Sequence, residues 1–208
     1  MNSYSKCVEN KPVVKVQKEE VSQQQKRQIG LIIGKFDPVH NAQLLAAQQV
    51  MCKLNLDEIW FAAAGNDCAA SFHDRICMLE LATHTNRAFK VNAFELLHKG
   101  PAYVTDVLEY LQQKWSANRY YLIMGSDQIS QLPTWRKPDV LARIATLVGV
   151  QRPNYPVKAQ YPLIWVDVPA FDISGTAVRQ AYRTGGSLRY LVPDPVIEYL
   201  QKKGLYHD

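Results

Sequence analysis

Long hydrophobic runs are missing from this sequence. No apolar stretch approaches the roughly 20 residues that a helix needs to span a bilayer. The opening segment, MNSYSKCVENKPVVKVQKEE, has no apolar core of the kind that secretory signals carry. We therefore expect a cytoplasmic protein that works without a membrane partner.

Cysteine is scarce, and its spacing does not fit a metal or disulfide framework. The four cysteines are Cys7, Cys52, Cys68 and Cys77, and none belongs to a C-x-x-C pair. Structural zinc sites require ligands at close spacing, which these residues do not provide. We predict reduced thiols and no metal ligands from the chain itself.

Clusters of positive charge are also missing. The net charge is +5, yet no run of Lys and Arg exceeds two residues. A dedicated nucleic-acid tract is therefore not expected, whereas mild basicity is compatible with small anionic ligands. The number of subunits is not indicated by any feature of the sequence.

The chain divides into a polar beginning and a patterned remainder. Residues 1–28 are rich in Lys, Gln, Glu and Ser, which is typical of a mobile tail. Over residues 29–208, apolar runs alternate with helical patterns, which indicates a single α/β domain with a parallel sheet covered by helices on both faces. The strands are predicted at residues 29–34, 58–64, 89–94, 120–124, 147–150 and 164–168.

The stretch GKFDPVHNAQL, residues 34–44, joins the first predicted strand to the first predicted helix. Gly34 ends the strand, Pro38 stiffens the turn, and the helix begins near His40 or Asn41. Free N–H groups and the dipole at a helix start favour a phosphate, which His40 could hydrogen-bond. Taken alone, the turn is explained equally well by a local helix-start histidine without a ligand.

A second candidate phosphate site is FDISGTAVR, residues 171–179. Asp172 or Ser174 would cap a helix, Thr176 adds a hydroxyl in its first turn, and Arg179 can reach back toward an anion. Together with the backbone N–H groups they would form a phosphate cradle. The alternative is a plain N-cap followed by a surface arginine.

A third segment has features of a ligand site at the end of a strand. Residues 123–127 read IMGSD and residues 132–135 read LPTW. Gly125 permits close backbone approach, Asp127 could accept hydrogen bonds from ribose hydroxyls, and Trp135 could stack on a flat heterocycle. Simple packing of Trp135 is the alternative.

In combination, these segments resemble one protein family. GKFDPVHNAQL is similar to G-G-[ST]-F-D-P-[IV]-H-x-G-H-L, the opening motif of the bacterial nicotinate mononucleotide adenylyltransferases of the nucleotidylyltransferase superfamily. The family's later motifs resemble, in the same order, IMGSDQISQLPTW at 123–135, VGVQRPNY at 148–155, ISGTAVR at 173–179 and GGSLRYLVPDPVIEYL at 185–200. The resemblance extends from about residue 29 to residue 206 and excludes the tail.

The resemblance implies a Rossmann-like fold and an activity in NAD biosynthesis. AMP would pass from ATP, which carries Mg²⁺, to nicotinate mononucleotide, giving deamido-NAD and pyrophosphate. The implied catalytic residues are His40, Gln43 and Arg179. The implied ATP and phosphate contacts are Gly34, Lys35, Phe36, Ser174, Thr176 and Arg179. The implied nicotinate mononucleotide contacts are Gly125, Asp127, Trp135 and Val104, the last standing where the family has a threonine.

The departures from the family lie mainly in the ATP half of the site. Gln43 replaces the second histidine of H-x-G-H, and a charge-assisted hydrogen bond is roughly twice as strong as a neutral one. Ala42 replaces the glycine of that motif, and Gly175 replaces a serine. The family's P-P-H-K loop is absent after the second strand, where His73 or Arg75 could partly substitute for its lysine.

Two functions from different classes follow from this pattern. The first is a working adenylyltransferase that uses ATP and nicotinate mononucleotide. The second is a catalytically degenerate paralogue that binds a nucleotide and acts as a regulatory or scaffold protein. Release of pyrophosphate separates the two.

Overall fold

The computed structural model describes residues 26–65, 67–92, 103–151, 159–169 and 172–207. Within these ranges the chain forms six strands, seven α-helices and a 3₁₀ turn at Leu132–Thr134. The strands are β1 (Gln28–Gly34), β2 (Glu58–Ala63), β3 (Phe89–Asn92), β4 (Arg119–Gly125), β5 (Thr146–Gln151) and β6 (Ile164–Asp167). The helices are α1 (Asn41–Lys53), α2 (Phe72–Thr83), α3 (Val104–Lys114), α4 (Ser126–Gln131), α5 (Pro138–Ile144), α6 (Gly175–Arg183) and α7 (Asp194–Lys203).

The six strands form one sheet in the order β3-β2-β1-β4-β5-β6, and all neighbours are parallel. The chain builds outward from β1 to β3 and then returns to the other side of β1 with β4. This reversal opens a crevice beyond the carboxyl ends of β1 and β4, where doubly wound sheets bind their ligands.

Helices cover both faces of the sheet. Side chains of successive strand residues point to opposite faces, so Phe61 enters one hydrophobic cluster and Ala62 the other. The first cluster contains buried residues of α1, α2, α6 and α7, and the second contains those of α3, α4 and α5. The structure therefore confirms the predicted α/β fold with a parallel sheet between two helical layers.

The observed bounds follow the sequence patterns closely. β1 begins at Gln28, one residue before the predicted strand, and β4 extends to Gly125. Residues 93–94 of the predicted third strand and residues 1–25 of the predicted tail lie outside the described residues. In the described part of the chain, no helix has the length and apolar character needed to cross a membrane.

Candidate active site

Two glycines mark the crevice between β1 and β4. Gly34 is the last residue of β1 and Gly125 is the last residue of β4. The Gln128 side chain bridges the two strands, since its Oε1 accepts from the Gly125 N–H at 3.2 Å and its Nε2 donates to the Ile33 carbonyl at 3.1 Å. A Cβ built on Gly125 would meet no atom within 4 Å, so this glycine faces open space. The Gln128 bridge thus holds the ends of β1 and β4 together, and the crevice is open at Gly125.

The turn after β1 is held in an uncommon conformation. Phe36 has φ 49°, which lies in the left-handed region that costs non-glycine residues energy. Its ring is 2% exposed and packs edge-on against Phe61 with 5.9 Å between ring centroids. Burial of this ring holds the turn, so Phe36 shapes the candidate site from beneath it.

His40 is the N-cap of α1 and is only 6% exposed. Its backbone N–H donates to Gln43 Oε1 at 3.1 Å, and the next N–H, of Asn41, donates to the Leu191 carbonyl at 2.9 Å. The opening N–H groups of this helix are therefore partly used within the protein, which leaves fewer for a phosphate than the sequence led us to expect. Gln43, which the family resemblance implies as a catalytic residue, also caps the helix through its side-chain carbonyl oxygen.

The Asp37 carboxylate joins distant segments to this turn. It is 5% exposed and accepts the Ala69 N–H at 2.7 Å and the Ala70 N–H at 3.0 Å. The Tyr206 hydroxyl also donates to its Oδ1, at 2.6 Å. The sequence patterns assigned no role to the Asp37 side chain. Its place in the F-D-P motif was the available signal for a larger role.

The turn after β1 and the start of α6, which the sequence analysis gave as two candidate phosphate sites, lie in contact. Arg179 Nη1 donates to the Asp37 carbonyl at 2.5 Å and lies 3.6 Å from Asp37 Oδ2. Its Nη2 donates to Thr176 Oγ1 at 3.3 Å, while Ser174 caps α6 by accepting the Ala177 N–H at 3.1 Å. The predicted cap, hydroxyl and guanidinium therefore lie together beside the turn that carries His40.

The other basic residues near the turn take different partners. Lys35 is exposed, and its Nζ donates to the Asp67 carbonyl at 2.9 Å. Arg75 is 2% exposed, and its guanidinium donates to the carbonyls of Lys35, Ala64 and Gly65 at 2.7, 3.3 and 3.0 Å. Arg75 thus ties the loops after β1 and β2 together. This geometry does not present it to a phosphate in place of the family's lysine.

The predicted nicotinate residues lie along α3 and after β4. Val104 and Trp135 are partly buried against the same hydrophobic cluster. Their neighbours are directly linked, because Thr105 Oγ1 donates to the Arg136 carbonyl at 2.6 Å. The Thr105 hydroxyl is thereby turned inward and does not replace the hydroxyl that the family carries at position 104. Asp127 is exposed in the first turn of α4, beside Gly125.

Comparison with known proteins gives the family. A family model described as cytidylyltransferase-like matches residues 31–181. The nicotinate-nucleotide adenylyltransferase of Bacillus subtilis strain 168 is 38% identical over 187 residues, which is 86% of this chain and 98% of the relative. The chain belongs to the nicotinate-nucleotide adenylyltransferase family. The resemblance read from the motifs is thus confirmed.

Solved structures agree with this family in fold. A Plasmodium falciparum nicotinic acid mononucleotide adenylyltransferase, solved in complexes with APC and with NaAD, superposes with a TM-score of 0.75 at 18% identity. The likeness covers 86% of this chain and 97% of that one. At this identity the comparison concerns the fold, which is the Rossmann-like architecture expected of the adenylyltransferase family.

Proposed function

We propose that this chain transfers AMP from ATP to nicotinate mononucleotide, releasing pyrophosphate and forming deamido-NAD. The observation that carries the proposal is the contact between Arg179 and the Asp37 backbone, which joins the two phosphate segments at the crevice between β1 and β4. The family of its relatives, named for this activity, supports the same reaction. The proposal also accounts for the exposed face of Gly125 on the opposite side of that crevice.

We assign the ATP half to the first turn and the start of α6. Gly34, Lys35 and Phe36 form the approach from β1, and His40 with Gln43 stands at the start of α1. Ser174 and Thr176 supply hydroxyl groups that donate hydrogen bonds to the ATP phosphates. The Arg179 guanidinium supplies the positive charge that neutralises them. His40, Gln43 and Arg179 are the proposed catalytic residues of this chain.

We assign the nicotinate mononucleotide half to the β4 side of the crevice. Gly125 lets the substrate approach the backbone, and the exposed Asp127 carboxylate accepts hydrogen bonds from ribose hydroxyls. Trp135 and Val104 share one hydrophobic cluster, which supports a role as an apolar wall for the pyridine ring. The acceptor phosphate would then point toward the ATP half.

The proposed reaction is an in-line displacement. A phosphate oxygen of nicotinate mononucleotide forms a bond to the α-phosphorus of ATP, while the bond from that phosphorus to the bridging oxygen breaks and pyrophosphate leaves with its electron pair. The enzyme forms no covalent bond in this scheme, so its contribution is positioning and charge neutralisation. ATP enters as its Mg²⁺ complex. The side chains assigned to its phosphates are cations and hydrogen-bond donors, whereas Mg²⁺ requires oxygen ligands. The Asp37 carboxylate already accepts three hydrogen bonds within the protein.

Pyrophosphate release in the presence of ATP, Mg²⁺ and nicotinate mononucleotide tests the proposal. Arg179→Ala is expected to lower kcat/KM by about 10²–10³, the loss typical of one charge-stabilising donor. Arg183→Ala is the matched control, because Arg183 is an exposed arginine in the last turn of the same helix. It should leave kcat/KM unchanged.

One observation favours the second candidate, a nucleotide-binding regulator without turnover. The Gln43 side-chain carbonyl is used to cap α1, and position 43 carries no charge where the family has a histidine. Calorimetric binding of a mononucleotide without any pyrophosphate release would establish this reading and overturn the proposed transfer.

A further inference from the structure

The C-terminal segment reaches the candidate site through one hydroxyl. Helix α7 ends at Lys203, its C-cap Gly204 has φ 62°, and the chain then turns back toward the sheet. Tyr206 follows with φ 65° and is 6% exposed, so its ring is buried despite its position near the end of the sequence. Its hydroxyl donates to Asp37 Oδ1 at 2.6 Å, across 169 residues of sequence.

Tyr206 completes the set of neutral donors around the Asp37 carboxylate. Oδ1 accepts from Tyr206 and from the Ala70 N–H, and Oδ2 accepts from the Ala69 N–H. These three hydrogen bonds already stabilise the negative charge of the carboxylate, so a close ion pair with Arg179 is not required. Arg179 Nη1 indeed lies closer to the Asp37 carbonyl, at 2.5 Å, than to Asp37 Oδ2, at 3.6 Å.

We propose that Tyr206 is a positioning residue for ATP, which holds Asp37 so that the Arg179 guanidinium keeps its place and its charge for the substrate phosphates. This inference rests on the proposed function. Without the hydroxyl, the buried carboxylate loses one of its neutral donors and draws the guanidinium closer. A guanidinium paired more tightly inside the protein binds a phosphate less strongly.

A second tyrosine provides a matched control within the same layer of the protein. Tyr199 is 1% exposed, and its hydroxyl donates to Asp74 Oδ1 at 2.7 Å. Asp74 Oδ2 accepts from the Ser71 hydroxyl at 2.5 Å, at the start of α2 and outside the proposed site. Burial, with the hydrogen bond to a carboxylate, raises the pKa of both tyrosine hydroxyls far above the ordinary tyrosine range, so both remain donors at neutral pH.

The test compares Tyr206→Phe with Tyr199→Phe in steady-state kinetics and thermal unfolding. Each variant removes one oxygen and keeps the packed ring, so both should lower Tm by a similar amount. Y206F should raise KM for ATP about tenfold and leave KM for nicotinate mononucleotide unchanged, whereas Y199F should change neither constant. Equal effects of the two variants on KM for ATP would overturn the positioning role.

Coupling to Arg179 gives a second readout. If Tyr206 acts through the guanidinium, Y206F should have little further effect on ATP affinity in an Arg179→Lys background, whereas additive effects would contradict the inference. Measuring the Kd of Mg²⁺–ATP by calorimetry keeps the test independent of turnover. A chain that binds ATP without releasing pyrophosphate would refute the proposed transfer, yet Y206F would still have to weaken ATP binding more than Y199F.

Discussion

At the scale of single residues, Gln43 caps a helix and, under the proposed function, also serves as a hydrogen-bond donor to the phosphates. Its Oε1 accepts the His40 N–H and so caps α1, while no described residue accepts a hydrogen bond from its amide N–H₂ group. The capped geometry fixes the carbonyl end, and under the proposed function the amide N–H₂ group donates to a phosphate. A histidine carries a positive charge at that position when it is protonated, whereas glutamine supplies a neutral donor at every pH.

The two tasks of Gln43 can be separated by substitution. Gln43→Glu keeps the acceptor, and a carboxylate at a helix N-terminus is favourable by about 0.3–1 kcal/mol, so Tm should stay level or rise. The same change removes the donor and places negative charge beside the phosphates, so kcat for pyrophosphate release should fall by at least about 10².

Gln43→Ala is the companion variant, because it removes both the cap and the donor. We expect it to lower the free energy of unfolding by roughly 1 kcal/mol, the usual contribution of a side-chain hydrogen bond, and to lower kcat as well. Differential scanning fluorimetry and the pyrophosphate assay measure the two effects separately. A Gln43→Glu variant with unchanged kcat would remove Gln43 from the proposed catalytic set.

Local residue patterns predicted the strand ends and helix starts that carry the candidate site better than they predicted the contacts that support it. Gly34, Ser174 and Gly125 stand where the strand ends and helix starts of the sequence placed them. Asp37 was underestimated because its partners Ala70 and Tyr206 are 33 and 169 residues away, beyond the range of any local pattern. Arg75 failed as a lysine substitute for a similar reason, since only the folded loops supply the carbonyls that it bonds.

At the scale of secondary structure, the site is made by strands that stop and helices that start at one edge of the sheet. Alternating apolar runs and helical repeats predicted this architecture, because a parallel strand pair requires a crossover helix. The strand order could not be predicted from these local patterns, because nothing in the residue patterns of β1 and β4 indicates that the two strands pair. The carboxyl ends of these two strands nevertheless define the crevice, so pairing decides which predicted motifs meet.

Two glycines at this edge should respond differently to an added methyl group. A Cβ on Gly175 would lie 2.9 Å from the Asp37 carbonyl oxygen, whereas a Cβ on Gly125 would meet nothing within 4 Å. Gly175→Ala should therefore lower the free energy of unfolding by about 1–3 kcal/mol through overpacking, which exceeds the gain of up to about 1 kcal/mol in helix propensity. It should also raise KM for ATP, because α6 is pushed away from the first turn.

Gly125→Ala is expected to leave Tm unchanged and to raise KM for nicotinate mononucleotide about tenfold or more, since one methylene in a fitted pocket is worth about 1–3 kcal/mol. Urea unfolding and separate titrations of the two substrates distinguish this variant from Gly175→Ala. Normal affinity of the Gly125→Ala variant for nicotinate mononucleotide would place that substrate elsewhere in the crevice.

At the scale of the whole molecule, tyrosine hydroxyls link the C-terminal helix and the residues after it to the rest of the fold. Tyr199 in α7 bonds Asp74 in α2, and Tyr206 bonds Asp37 in the turn after β1. On the opposite face, Tyr120 of β4 donates to the Leu111 carbonyl at the end of α3. These bonds connect separate elements of the chain, so they can form only after the sheet has brought the layers together.

These buried hydroxyls predict how stability depends on alkaline pH. Burial is the main cause that raises the pKa of Tyr120, to about 12, and the pKa values of Tyr199 and Tyr206 are raised further by burial and a carboxylate partner. Below pH 10, the ordinary tyrosine pKa, both the folded and the unfolded chain keep these protons, so the full contribution to stability is present. Above that pH only the unfolded chain releases them, and the free energy of unfolding should fall by about 1.4 kcal/mol per pH unit for each such tyrosine.

Urea unfolding between about pH 8 and pH 11.5, followed by circular dichroism and by tyrosinate absorbance, measures this dependence. Other ionisable groups contribute to the absolute slope, so the informative quantity is the difference between the native protein and Tyr206→Phe. That variant should show a slope above about pH 10 that is smaller by about one proton, or about 1.4 kcal/mol per pH unit, because it carries one buried hydroxyl fewer. Identical slopes for the two proteins would mean that the Tyr206 hydroxyl ionises as readily in the folded as in the unfolded chain, and would contradict the buried hydrogen bond to Asp37.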